Sequence, residues 1–330
     1  MSVLTAWPPV VAPQQKPELR RVCELCGAYQ YQIVGSIDRN GQPLETAICQ
    51  GCGLVAHLNI PTDDELKAYY ASQYRPSYHG EMAPSPRRVM RAWKNGQRIV
   101  RQLRPFLAAP CSVIEVGAGI GATVKNFELA GHRASGIDLG TQFLRYGREV
   151  LHAQVEAASL FDLPPEPRFD LVLLVHVIEH FASPLRALQA IHALLRPGGR
   201  LYLECPNLAS PFATRKRLFH FAHVYNFTPW TLLALARKAG FELEHSFVDD
   251  NDSYVEVLLR RIDQGYAAFQ AEDYERTLER MFRYNALTYH LRWSYLKSRS
   301  KKVLGYLHER LVSTRFVERL AAQCATVSDR

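Results

Sequence analysis

The sequence predicts an α/β protein: a mostly parallel sheet with helices on both faces, preceded by a small four-cysteine module and followed by a helical appendage. Three observations predict it. From Cys111 to about Arg261, short apolar runs alternate with amphipathic helical stretches. The first run, Cys111-Ser-Val-Ile-Glu-Val116, passes directly into the glycine turn Gly117-Ala-Gly119-Ile-Gly121 and then a helical stretch, Ala122 to Ala130. Upstream, four of the seven cysteines form two C-x-x-C pairs, which is a metal-site pattern and not a disulfide framework.

Composition sets the outer bounds. The 330 residues suggest about two domains at roughly 150 residues each. Forty Lys plus Arg against 32 Asp plus Glu leave +8, and 47% hydrophobic with 22% charged residues is ordinary for a globular chain, which excludes wholesale disorder. The longest apolar run, Leu171 to Ile178, is interrupted by His176 and falls short of the roughly 20 residues that span a bilayer. Residues Met1 to Gln15 carry Pro8, Pro9 and Pro13 and no basic residue ahead of an apolar stretch, so no secretory signal and a cytoplasmic location are expected.

Composition shifts divide the chain into a Pro-rich tail (1–20), the Cys-paired module (21–61), a Tyr-rich helical linker and lid (62–110), the main domain (111–261) and a helical basic appendage (262–330). In the module each pair is followed by glycine, as Cys23-Glu-Leu-Cys26-Gly27 and Cys49-Gln-Gly-Cys52-Gly53. Glycine there permits a left-handed turn that brings backbone N–H groups toward a thiolate. Two such knuckles 22 residues apart supply four thiolates, enough to close a tetrahedral site. Asp38-Arg-Asn-Gly41 between them reads as a tight hairpin turn, so a self-contained zinc ribbon with structural Zn2+ on Cys23, Cys26, Cys49 and Cys52 is expected, iron being the alternative metal.

In the main domain, strand, glycine turn and helix follow in the order that lets a main chain approach a ligand closely. The next strand, Arg133-Ala-Ser-Gly-Ile137, ends in Asp138, a carboxylate at the sheet edge where a ribose diol is accepted. The third glycine arrives one residue earlier than in dehydrogenase turns, and Glu115 precedes the turn. With these features the segment resembles the class I S-adenosylmethionine-dependent methyltransferases. Phe169-Asp-Leu-Val-Leu-Leu-Val-His-Val-Ile-Glu-His180 is similar to their fourth strand and following loop. Leu195-Arg-Pro-Gly-Gly-Arg-Leu-Tyr-Leu203 and Cys205-Pro-Asn207 resemble the fifth strand, and Phe227-Thr-Pro-Trp-Thr-Leu-Leu with Lys238-Ala-Gly-Phe241 the helix before a last antiparallel hairpin. The cysteine knuckles and Ala68-Tyr-Tyr-Ala-Ser-Gln-Tyr74 resemble a subset acting on sugars, polysaccharides and natural products.

The resemblance implies a seven-stranded Rossmann-like sheet and S-adenosylmethionine as cofactor. It implies that Gly117, Ala118, Gly119 and Gly121 pack against the methionine part, that Glu115 orients the ammonium, that Asp138 with Leu139 holds the ribose, and that His176 lines the methionine end. Relatives place an acid beside adenine where this chain has Ser159, so contact passes to Leu160, Phe161 or Asp162. The implied reaction is O-methylation of a hydroxyl on a sugar, glycan or related small molecule. A base then removes the hydroxyl proton: His180 is first choice, His223 second, with Glu179 as a further candidate. Tyr70 and Tyr74 are lid candidates.

Arg215-Lys-Arg217 suits a phosphate-bearing acceptor. From Arg280 to Lys302, seven Lys and Arg residues and five aromatics occur without an acid. That stretch fits a helix with its aromatics packed inward, nucleic acid or peripheral membrane contact. An RNA methyltransferase and a non-catalytic cofactor-binding scaffold are therefore the alternative functions.

Overall fold

The structure, a computed structural model, describes residues 21–72, 83–108, 110–210, 213–214, 217–266, 268–284, 286–291 and 293–328. The Pro-rich tail and Tyr74 lie outside them, as do Arg215 and Lys216 and the side chains of 292–304 from the basic stretch. Among the described residues no helix is long and apolar enough to cross a membrane.

The Cys-paired module is an antiparallel meander of β1 (Tyr31–Ile37), β2 (Pro43–Cys49) and β3 (Val55–His57). The β1–β2 connection is not the two-residue turn that Asn-Gly suggested. Asp38 Oδ1 accepts the amides of Asn40 and Gln42, each at 2.8 Å, and this side-chain cap holds a wider loop in which Gly41 takes φ +82°.

The main sheet contains β4 (Ser112–Val116), β5 (Arg133–Asp138), β6 (Val155–Ala157), β7 (Phe169–Val175) and β8 (Leu195–Pro206), which are parallel. A two-residue strand, β9 (Tyr225–Asn226), lies outside this sheet, and β10 (Phe241–Ser246) and β11 (Tyr254–Arg261) complete it antiparallel. Spatial order is β10-β11-β8-β7-β4-β5-β6, so the expected seven-stranded Rossmann-like sheet is present. β7 carries four consecutive buried residues, Leu171 to Leu174, because helices cover both faces and alternation is not needed. The order reverses between β4 and β7, and this switch point places the carboxyl ends of β4, β5 and β7 around one crevice.

The helix Pro86–Leu103 buries Val89, Met90, Trp93, Gly96, Ile99 and Leu103, spaced at helical intervals along one face. A Cβ at Gly96 would fall 2.9 Å from the Cα of Thr123, so the absence of a side chain permits its close crossing with the helix Ala122–Leu129. The same helix sends Arg98 toward the sheet, where its guanidinium meets Glu204 at 2.5 Å and Glu256 at 2.6 Å. The appendage is helical as expected, and it is packed down. Helix Trp293–Ser328 puts Leu320 and Cys324 into the core shared with Val89 and Trp93, and helix Asp273–Phe282 covers the second knuckle at Gly53. Tyr289 of the basic aromatic stretch is buried, whereas Phe282 is exposed.

The module is not self-contained. β9 pairs with β3, joining a main-domain loop to the small sheet, and Cys23, Cys49 and Cys52 share one apolar core with Leu174 and Leu203. About 40 residues bury too little surface alone, and this module obtains the remainder from its neighbour.

Replacing Arg98 by Met strands two largely buried carboxylates. Urea unfolding is expected to show a loss of about 3–5 kcal/mol; a change within error would mean that the ion cluster does not hold this helix to the sheet.

Candidate functional site

Three left-handed residues shape the turn after β4: Gly117 at φ +78°, Gly119 at +56° and Gly121 at +68°. The space above them is also filled. A Cβ at Gly117 would lie 2.4 Å from Val177, and one at Gly121 would lie 2.9 Å from Ala153. The turn was expected to offer amides to a ligand, but most are already used. Gly117 and Ala118 donate to Ile137 O at 2.8 and 2.9 Å, and Gly121 donates to Ala118 O at 2.8 Å. Gly119 donates to Asp138 Oδ2 at 2.8 Å, while Gly140 donates to Oδ1 at 2.7 Å. The turn therefore contributes shape, and Asp138 contributes the charge.

Gly117, Gly119, Asp138 and Leu139 line one side of a cavity of about 620 Å³ at the switch point. Leu160 and Phe161 line another, on a short 3-10 turn. That turn is built by reciprocal capping: Phe161 N donates to Ser159 Oγ at 3.3 Å, and Ser159 N donates to Asp162 Oδ2 at 3.0 Å. Asp162 lines the cavity as well, and the oxygen that caps the turn faces Lys67 at 3.7 Å. The Arg186 guanidinium lies 4.0 Å over the Phe161 ring, extending the flat apolar wall. Helix Asp63–Ser72 covers the cavity with Leu66, Lys67 and Tyr70, which gives Tyr70 the expected lid position.

Glu115 at the end of β4 and Ala118 within the turn are buried and do not line the cavity, nor does Gly121, the N-cap of helix Ala122–Leu129. Burial, with the Asp138 charge adding to it, raises the Glu115 pKa to about 8, and Oε2 has no hydrogen-bond partner.

At the opposite end stands His176, a non-glycine residue at φ +55°. Burial opposes its charge, but Glu179 and Glu204 outweigh burial and raise its pKa to about 10. Its Nε2 is 3.1 Å from Glu204 and its Nδ1 3.7 Å from Glu179, so it lines the cavity as a cation already paired. Sequence reasoning missed Glu204 and Arg98; a charged residue within Leu-Tyr-Leu-Glu-Cys was the available signal.

His180 also faces the cavity, and its Nδ1 is 2.6 Å from Ala222 O and 2.8 Å from Tyr70 Oη. A carbonyl only accepts, so the ring proton is on Nδ1 and the lone pair on Nε2. That nitrogen points at Glu179, 3.8 Å away. His223 approaches the same oxygen at 3.9 Å from behind, in a small adjoining cavity. Its pKa is driven well below the usual imidazole value by burial and the neighbouring His220 and His180, which makes it a poor proton acceptor. Of Arg215-Lys-Arg217 only Arg217 is described, and it is exposed.

The four module sulfurs lie within 4.8 Å of one another, with Cys23–Cys52 at 3.6 Å and Cys26–Cys49 at 3.4 Å. A disulfide needs about 2.05 Å, whereas sulfurs around tetrahedral Zn2+ stand about 3.8 Å apart. Bonds from the other three thiols favour the Cys23 thiolate, and the resulting crowding pushes the Cys49 and Cys52 pKa values up, so all four ionise together only around a cation. The knuckle glycines have φ +78° at Gly27 and +74° at Gly53, as expected.

The module reaches the site through residues 218–226. His57 N donates to Val224 O at 2.9 Å, Arg39 N donates to Phe219 O at 2.8 Å, and Arg21 bridges His57 O and Tyr225 Oη. Ala222 and His223, which flank the catalytic candidates, sit on this tethered loop.

Residues 87–246 match the family model of a methyltransferase domain. The match begins 24 residues before the expected boundary at 111 and takes in the helix that carries Arg98. The ubiquinone biosynthesis O-methyltransferase of Pseudomonas syringae pv. tomato is 30% identical over 103 residues, which are 29% of this chain and 44% of that protein. Its Pseudomonas putida counterpart is 29% identical over 103 residues with the same coverage. The chain thus spans less than half the length of these curated relatives. Among solved structures, the 1,6-didemethyltoxoflavin-N1-methyltransferase of Burkholderia thailandensis with S-adenosylhomocysteine has a TM-score of 0.47 at 24% identity, covering 64% of this chain and 96% of that one. Magnesium protoporphyrin IX methyltransferase from Synechocystis has a TM-score of 0.47 at 15% identity, covering 61% and 100%.

Cys26→Ser is expected to raise hydrogen-exchange rates over 222–227 by roughly tenfold or more while β4 and β5 keep theirs. Unchanged exchange in the loop would show that the module does not hold it.

Proposed function

We propose that this chain is a class I methyltransferase that moves the methyl group of S-adenosylmethionine to a hydroxyl oxygen of a small acceptor, a sugar, glycan or related metabolite. The observation that carries the reading is the crevice in which Asp138, tied to the glycine turn, faces a cavity closed by Tyr70 and His180.

The donor set fits the cofactor. Asp138, held by the amides of Gly119 and Gly140, turns a carboxylate into the cavity, an acceptor for ribose hydroxyls. The apolar wall of Leu160 and Phe161 suits a purine face, and Glu115 Oε2, the carboxyl oxygen without a hydrogen-bond partner at the end of β4, suits an ammonium group. When bound, the sulfonium supplies an activated methyl group, so the chain's task is mainly positioning. Tyr70 and His176 exclude water from the acceptor end. His180, on the cavity wall with its proton held on Nδ1 by Ala222 and Glu179 3.8 Å behind Nε2, takes the acceptor's proton on Nε2 as the oxygen attacks. Zn2+ on the four cysteines holds the module and, through β3, the loop bearing Ala222.

Asp138→Ala is expected to weaken S-adenosylhomocysteine binding by about 1–3 kcal/mol in calorimetry; equal affinity would remove Asp138 from the site. His180→Ala is expected to lower turnover roughly 10²–10⁴-fold at unchanged cofactor affinity, and retained turnover would place the base elsewhere. The pH dependence has a definite sign. The Glu115 carboxyl has its pKa raised to about 8, and an ammonium neighbour favours the ionised form. Cofactor binding therefore releases a proton near pH 7, and affinity rises as pH climbs toward 8. Calorimetry in buffers of different ionisation enthalpy reads that proton; Glu115→Gln should abolish it, and its persistence would contradict the assignment.

A further inference from the structure

Glu179 is 2% exposed, and neither of its carboxylate oxygens has a hydrogen-bond partner. A buried, unpaired carboxylate is costly unless something else offsets its charge. The surrounding imidazoles do not do so by direct contact. His180 Nε2 and His223 Nε2 stand 3.8 and 3.9 Å from Oε1, too long for charge-assisted hydrogen bonds of about 2.7–2.9 Å. His176 has its own closer counter-ion in Glu204, at 3.1 Å.

The spacing is that of a ligand set. Donors about 2.1 Å from a tetrahedral cation are about 3.4 Å apart, and here the three donor atoms lie within 4.8 Å of one another around a common gap. The outer partner is also present: Nδ1 of His180 is bonded to the Ala222 carbonyl, which leaves Nε2 as the ligating nitrogen. Two adjacent ligands come from the turn Ile178–His180 after β7, and the third comes from the loop that β9 ties to the cysteine module.

We propose that Glu179, His180 and His223 form a second metal site, distinct from the four-cysteine site, which takes a divalent transition cation such as Zn2+ or Co2+ with one carboxylate and two neutral imidazoles. Two imidazoles and a carboxylate form a donor set that such ions accept, and three protein ligands leave a position open. His180 lies on the wall of the main cavity, whereas Glu179 and His223 line the small cavity behind it, so an open position would reach the acceptor end only on the His180 side. For its chemical purpose the inference rests on the methyltransferase reading: an acceptor oxygen bound there would lose its proton more readily, and His180 would then act as a ligand to the activating ion.

The full-length protein, saturated with Zn2+ and desalted, is analysed for metal per chain by plasma mass spectrometry, beside Glu179→Gln and His223→Gln. The wild type is expected to hold one equivalent more than either variant. Equal metal content in all three overturns the site. Co2+ substitution of the wild type decides the matter even if both variants fold poorly: nitrogen and oxygen ligation beyond the thiolate bands is expected, and thiolate bands alone contradict the proposal. Calorimetry with S-adenosylhomocysteine on the same sample separates the two readings. Cofactor binding without the extra ion removes only the metal site, and the ion without cofactor binding removes only the methyltransferase reading.

Discussion

The Asp138 carboxylate holds the crevice open in one shape. One oxygen takes the Gly140 amide on its own strand end, and the other takes the Gly119 amide from the neighbouring turn. Those two bonds fix the tip of a loop whose three glycines occupy a region of backbone space that other residues rarely adopt. Val177 and Ala153 fill the positions where side chains would go, so the turn is defined from both sides. With the amides satisfied inside the protein, the site has little reorganisation left to do when a ligand arrives.

A second constraint acts from the other end of the cavity. The loop after β8 would be an ordinary surface connection, but β9 makes it the fourth strand of the small sheet. Arg21, Arg39 and His57 then fasten its backbone. The cysteine module thereby fastens the loop that carries Ala222, whose carbonyl accepts from His180 on the cavity wall, while the sheet edge builds the side at Asp138. A chain of charge connects the two ends: Arg98 to Glu204, and Glu204 to His176. Buried carboxylates persist only when each has a partner, which gives helix Pro86–Leu103 a place against the sheet and not in a linker; all but its first residue lies within the stretch that matches the family model.

What could be read from the sequence was local. Strand, glycine turn and helix are written in consecutive residues, and Asp138 follows one strand later, so the turn and the carboxylate beside it were legible from spacing. The same holds for the cysteine knuckles, whose glycines adopt the left-handed conformation their position required. Long-range pairing was not legible. Nothing in Tyr225-Asn226 marks it as a strand, since a two-residue bridge carries no periodicity. The capping bond from Ser159 N to Asp162 likewise depends on the folded turn and is not written as a pattern in the sequence. His223 looked like a base, but only the folded environment, with the His220 ring tilted against it at 3.8 Å, shows why it resists taking up a second ring proton.

The most direct measurement is a crystal structure of the chain soaked with S-adenosylhomocysteine. The account predicts the ribose diol within hydrogen-bond distance of Asp138, the purine against Leu160 and Phe161, and the thioether directed toward His176 and His180. An adenosyl group bound outside this crevice, or ribose hydroxyls turned away from Asp138, would contradict it.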